Sequence, residues 1–279
     1  MVKMKNKTRF LRLRSTIMGL LGPIIVLFCF TLVGCQSQSG DDLTLGNQAY
    51  DRYEITDAEM FYERYLRKNP ESSNRWWVWN RLLDISLNIR QQKSNSIAYL
   101  EIMLEEYGKD DDKRRSITRS LANLYFEVIN YERAVILWES LAYDPSSLST
   151  EKAEAFRKLA FLYLRRLDFS DSTSVLQKCL QLDVEQSVKA DCLFDLSEIQ
   201  LLLGELPQAY ANLHTLLQLD DPNKERYLMV RFMYADVLEQ KGRFDEALEL
   251  FTQLRTVHPN PAVIDVRIES LQKRMKKKR

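Results

Sequence analysis

A small residue and a large apolar one recur about every 38 positions along most of this chain. Ala58, Ser96, Ala134, Ser172, Ala209 and Ala247 are spaced 38, 38, 38, 37 and 38 apart. Thirteen residues before each stands Leu45, Leu83, Leu121, Leu159, Leu196 or Tyr234, and four after each stands Tyr62, Leu100, Trp138, Leu176, Leu213 or Phe251. A fixed period of this size means a stacked array of supersecondary units, each burying its apolar face on its neighbours. Such an array grows by addition, so 279 residues need not divide into two ordinary domains. Eight glycines and seven prolines leave few turns, which points to an all-helical chain.

Each unit reads as two antiparallel helices. In the third, Leu121, Ala122 and Tyr125 share one helical face, a break follows at Asn130-Tyr131-Glu132, and Ala134, Trp138, Leu141 and Ala142 recur at helical spacing until Asp144-Pro145. The small residue marks a close crossing of the two helices, and the large ones fill the space on either side. Beyond Pro261, Ile264, Ile268, Leu271 and Met275 form one stripe, as a helix closing the end of the array requires.

The first residues are of another kind. Lys3, Lys5, Lys7, Arg9, Arg12 and Arg14 precede an apolar run from Ile17 to Val33, broken by Gly22-Pro23, and no acid occurs before Asp41. This is the anatomy of a signal peptide, and the run is short of the roughly 20 residues that span a bilayer. Its end, Leu32-Val33-Gly34-Cys35, resembles a bacterial lipobox. The resemblance implies cleavage before Cys35, lipidation of that cysteine, and a leader over 1–34 that carries Cys29 away. Gln36, not Asp, follows the cysteine, and by analogy with enteric sorting this favours the outer membrane.

Without its leader the chain carries 34 positive against 39 negative residues. Six of those positives are Lys273, Arg274, Lys276, Lys277, Lys278 and Arg279, so the body before them is acidic. A nucleic-acid binder would spread positive charge along a face, and none is expected as a partner. The tail is a solvated terminus, or it binds anionic headgroups or an acidic partner.

The ladder resembles the tetratricopeptide repeat. Leu45-Gly46 with Ala58, Tyr62, Tyr65 and Pro70 carries the likeness at one end, and Tyr234-Ala235 with Gly242 to Ala247, Phe251, Leu254 and Pro259 at the other. The resemblance implies an all-α, right-handed α-solenoid of about six tetratricopeptide-like helix pairs with a C-terminal capping helix. Its segments are a lipidated cysteine and polar linker over 35–41, repeats over 42–261, and the cap and basic tail over 262–279. The second unit departs from the pattern at Asp84 and Lys93, where its frame can slip by two. A period above the family's 34 implies longer second helices or longer loops between units. With the lipobox, the chain resembles lipoproteins of outer-membrane-protein assembly and, less closely, pilotin-type lipoproteins of type IV pilus systems. These imply envelope proteins or peptide segments as partners, and a membrane held through Cys35.

Grooves of this family are lined by the inner faces of the first helices. Carried over, those positions are Tyr50, Arg119, Asn123, Phe126, Arg157, Phe161, Leu164, Arg165, Phe194, Leu201 and Phe232, a groove basic and aromatic in its middle. Arg119 and Asn123 have the spacing of a carboxylate clamp, but Glu154 stands where a further base belongs. Such a groove binds a partner segment, or it is merely a mixed solvent-facing surface. Trp76, Trp77 and Trp79 either pack against the first unit or anchor an interface. Cys179 and Cys192 fall on neighbouring helices, as a disulfide or as two buried thiols. His214 and His258 lie in different units, and neither a phosphate loop nor metal-ligand spacing appears. No enzyme activity, cofactor or metal is therefore expected, an envelope enzyme (for example one acting on peptidoglycan) being the distant alternative, and the oligomeric state stays open.

Overall fold

A computed structural model of the chain describes residues 41–219 and 223–278. The leader, Cys35 and most of the linker lie outside the described residues. Among those described there are thirteen α-helices and no strand. They are α1 (Asp42–Asp51), α2 (Ile55–Lys68), α3 (Arg75–Asp84), α4 (Lys93–Tyr107), α5 (Asp111–Glu127), α6 (Tyr131–Ala142), α7 (Ser149–Arg165), α8 (Phe169–Leu180), α9 (Gln186–Leu202), α10 (Leu206–Leu217), α11 (Lys224–Gln240), α12 (Phe244–Arg255) and α13 (Pro261–Lys278). None is long and apolar enough to cross a membrane. The chain divides into two compact units, with the boundary between Val78 and Trp79, within α3.

In the N-terminal unit, α1 lies on α2 so closely that a Cβ at Gly46 would fall 2.7 Å from the Tyr62 ring. Ala58 and Tyr62 are wholly buried there, and the Tyr62 hydroxyl donates to Asn47 over 2.9 Å.

The C-terminal unit is a stack of helix pairs. Its first helices α5, α7, α9 and α11 have 17 residues each, and its second helices α6, α8, α10 and α12 have 12. In these four pairs the length beyond 34 is thus spent in the first helices and in loops such as 143–148 and 181–185, whereas the second helices of the first two pairs, α2 and α4, are longer, at 14 and 15 residues. Every small ladder residue, from Ala58 to Ala247, is fully buried. The Ser172 hydroxyl even donates to the Ala160 carbonyl across its crossing, at 2.7 Å. One apolar cluster centred on Trp138, Leu159 and Leu176 is followed by another around Tyr234, Phe251 and Leu254. Ile264 and Leu271 of α13 are buried in the second cluster, which closes the stack.

The second helix pair corrects the ladder. Leu83 is half-buried, and the buried pair at the crossing is Ile85-Ser86, not Leu83-Asp84. Ser86 meets Ser96 hydroxyl to hydroxyl at 2.7 Å. A π-helical turn over Ile85–Ile89 extends α3, and the frame slips by two residues. The slip keeps a carboxylate out of a crossing with no room or hydrogen bond for it.

All six pairs turn alike. Five residues before each small ladder residue of the second helix, the backbone is left-handed, at Tyr53, Gln91, Ile129, Leu167, Gly204 and Gly242. The next residue's N–H then closes the helix end, as in Asn130 to Tyr125 O (2.8 Å), Asp168 to Tyr163 O (2.9 Å) and Glu205 to Gln200 O (2.8 Å). Only glycine adopts this conformation without a steric cost. Ile129 and Leu167 have φ of 63° and 60° and stand 73% exposed. Ile129→Gly and Leu167→Gly should therefore each raise stability by about 0.5–1 kcal/mol in urea unfolding.

Cys179 of α8 and Cys192 of α9 are joined in a disulfide, both fully buried, with Cα atoms 6.1 Å apart. It closes a short loop, for which the chain-entropy account gives about 3 kcal/mol. Denatured but unreduced protein should show no alkylation at these cysteines, and reduction should lower the unfolding midpoint.

Candidate functional site: the concave cleft of the first helices

The first helices of the C-terminal unit carry arginines and carboxylates that meet across successive pairs. Arg119 of α5 bonds Glu151 of α7 at 2.9 Å and approaches Glu154 at 3.1 Å. Arg157 of α7 reaches Asp195 of α9 at 2.5 Å and Asp191 at 2.9 Å, and Arg226 of α11 also pairs with Asp191. Arg267 and Arg274 of α13 close on Glu239 of α11, and Arg267 also on Asp236.

These pairs correct the expectation of a basic groove. Arg119 and Arg157 link neighbouring repeats and are not free to hold a ligand. Glu154, placed where a clamp would need a base, instead neutralises Arg119. Arg274 likewise belongs to the cap's ion pairs and not to a free tail, while Lys273, Lys276 and Lys277 are exposed. The signal was present in the sequence, because the partners lie about one period away: Arg157 and Asp195 are 38 residues apart, Arg119 and Glu151 32.

Between α5, α7 and α9 these helices leave a cleft of about 690 Å³. Phe126, Phe161, Leu164, Ile199 and Leu202 supply its apolar lining, and Asn123, Glu154, Arg157, Lys158, Asp195 and Glu198 its polar one. Phe126 and Phe161 meet edge to face with centroids 5.6 Å apart, and the Arg165 guanidinium lies 4.9 Å from the Phe161 centroid. Burial raises the Asp195 carboxyl, although Arg157 works against it. Burial also opposes the charge on Arg157, but the Asp195 and Asp191 carboxylates outweigh it and raise the guanidinium's pKa. The Glu198 carboxyl is pushed up by burial and then by the charge of Asp195.

Of the positions carried over from the sequence, Asn123, Phe126, Arg157, Phe161 and Leu164 line this cleft together. Phe194 and Phe232 do not. They are half-buried against the last apolar cluster, with Phe232 edge-on to Phe251 at 5.6 Å. Tyr50 stands half-buried on α1, in the N-terminal unit. Lys158, Asp195, Glu198, Ile199 and Leu202 went unnamed in the sequence reading, although Lys158, Glu198 and Leu202 lie one or two helical turns from residues that were named.

The tryptophans divide. Trp79 is 7% exposed and donates from Nε1 to Glu106 at 2.9 Å, so it is a core residue and not an interface anchor. Trp77 is 39% exposed and lies edge-on to Tyr62 at 5.9 Å. Trp76 is half-buried.

Residues 230–261, which cover most of α11 and all of α12, match the tetratricopeptide repeat family. The last helix pair is thus similar to a tetratricopeptide repeat. Solved structures extend the likeness of fold over the other pairs. One, from the functional characterisation of Pseudomonas aeruginosa pilF, is 14% identical, covers 84% of this chain and 96% of its own, and has a TM-score of 0.52. Another, a Podosopora anserina protein with nearly identical TPR-like repeats, is 18% identical over 67% of this chain and 96% of its own, with a TM-score of 0.51. At these identities the tetratricopeptide likeness is one of fold. No curated protein matches the chain.

The ion pairs change what substitution of the groove arginines should do. Removing one partner leaves a partly buried charge uncompensated. Arg157→Ala should cost about 2 kcal/mol. A double-mutant cycle with Asp195→Asn should show a coupling of about 1 kcal/mol or more. Additive effects would mean that the pair does not form in solution.

Proposed function

We propose that the chain is a lipid-anchored scaffold on the periplasmic face of the outer membrane, binding other envelope proteins during assembly of the cell envelope. The observation that carries the binding role is the α5–α7–α9 cleft, which exposes aromatic and aliphatic side chains on the concave side of a helical-repeat stack. The location rests on the lipobox ending at Cys35, and the buried Cys179–Cys192 disulfide supports an oxidising compartment. The reading is of a binding protein rather than an enzyme. Its two histidines sit apart, with His214 exposed on α10, stacked on Tyr210 and tilted against Tyr234. A second reading, a pilotin-type lipoprotein, rests on the six helix pairs that follow the lipobox.

Both readings meet in one experiment in cells. A photo-crosslinking residue replaces Phe161 in the cleft, or Ile136, which is 60% exposed on the second helix α6. The Phe161 site should capture defined envelope proteins that the Ile136 site does not. Barrel-assembly factors support the first reading and secretin subunits the second. Capture from Ile136 alone sinks the concave-face role. Mass spectrometry should also find acyl chains on Cys35, and their absence overturns the anchor.

A further inference from the structure

Two stripes run along the cap helix α13. Ile264, Ile268, Leu271 and Met275 face inward and pack on the last apolar cluster. Val263, Val266, Ser270, Lys273 and Lys277, at spacings of 3, 4, 3 and 4, form the opposite stripe, and all five are exposed. It is straight over about 21 Å at the rise of an α-helix. Val263 and Val266 are 42% and 66% exposed, and Ala262 and Lys276 stand exposed on the same side.

A helix that closes a repeat array keeps one face that no neighbour covers, and water asks only that this face be polar. The exposed valines do not serve that end. Nor does the fold use the lysines. Arg267 is tied to Asp236 and Glu239, Arg274 to Glu239, and Asp265 to Arg255. Among the described residues, Lys273, Lys276 and Lys277 have no salt-bridge partner, although the body before them is acidic. Between Ser270 and Arg279 there is no acid at all.

Two features select the occupant. The lysines ask for an anionic surface, and such a surface repels the acidic body, so contact is made cap first. The valines ask for an apolar environment two to three helical turns from the anions. A phospholipid interface offers both, with phosphates along its plane and acyl carbon just beneath. A plane also meets a straight stripe along its whole length.

We propose that the outer face of α13 is a second membrane contact, in which Lys273, Lys276 and Lys277 meet the phosphates of anionic lipids while Val263 and Val266 dip into the interface. This rests on the lipid-anchored reading above, which supplies the bilayer.

The test reconstitutes the full chain in vesicles of phosphatidylcholine, alone or mixed with phosphatidylglycerol, and follows lysine acetylation by mass spectrometry. Lys273, Lys276 and Lys277 should react about fivefold more slowly on the anionic vesicles, while the exposed Lys109 and Lys158 are unchanged. Molar salt should cancel the protection, since it shortens the screening length to about 3 Å. Val266→Asp should lower the protection by about threefold. It should leave the unfolding midpoint unchanged, because the inner stripe is untouched. Equal reactivity on the two kinds of vesicle overturns the proposal. So does protection by soluble polyglutamate without protection by the anionic vesicles, which would assign the face to an acidic protein. Failure of the anchor is read separately, as missing acyl chains on Cys35, and the lysine footprint can then be taken with the chain added to preformed vesicles.

Discussion

Every helix pair in this protein depends on a crossing with room for little more than a hydrogen or a methyl group. Gly46 against the Tyr62 ring, Ser86 with Ser96 and Ala160 with Ser172 bring two helices together there, with the small residues of the second helices fully buried. Close approach fixes which faces meet. It also sets the space that Tyr62, Leu100, Trp138, Leu176, Leu213 and Phe251 then fill, each no more than 1% exposed. The cleft follows from the same constraint. Packing holds the second helices against the first, so the opposite faces of α5, α7 and α9 are left to line a concave surface.

Crossings of this kind are legible in sequence because burial repeats at a fixed spacing. The ladder from Ala58 to Ala247 could be read without coordinates, as could the apolar stripe of the cap. What could not be read was local or electrostatic. The slip at Ser86 depends on a π-helical turn, and no residue type announces one. The left-handed turns are announced by glycine at 204 and 242, but Tyr53, Ile129 and Leu167 give no such signal. Asn123, Phe126, Phe161 and Leu164 share a helical face that the sequence marks and line one cleft, whereas the pairing of Arg119 and Arg157 beside them is not marked there. Charge type is written in the sequence, whereas pairing depends on a carboxylate on the next repeat.

Those pairs also change what the groove is. Arginines facing a concave surface suggest an anion site, but here Arg119 and Arg157 are matched by carboxylates from the adjoining first helix, while Arg165 lies over Phe161. The arrangement ties neighbour to neighbour from α5 to α13 and leaves the middle of the cleft nearly neutral in charge and apolar in character. Specificity in such a surface rests on the few charges that remain outside the pairs, and not on the many that are in them.

The disulfide has a mechanical meaning for a stack held together only by neighbours. Repeat arrays yield to tension joint by joint, since each unit is restrained by the two beside it. Between Cys179 and Cys192 the covalent link carries the load directly, and the loop between them, about 40 Å of extended chain, cannot be paid out. The joint between α8 and α9, the latter being the cleft's third helix, is therefore one that a pulling partner cannot peel apart.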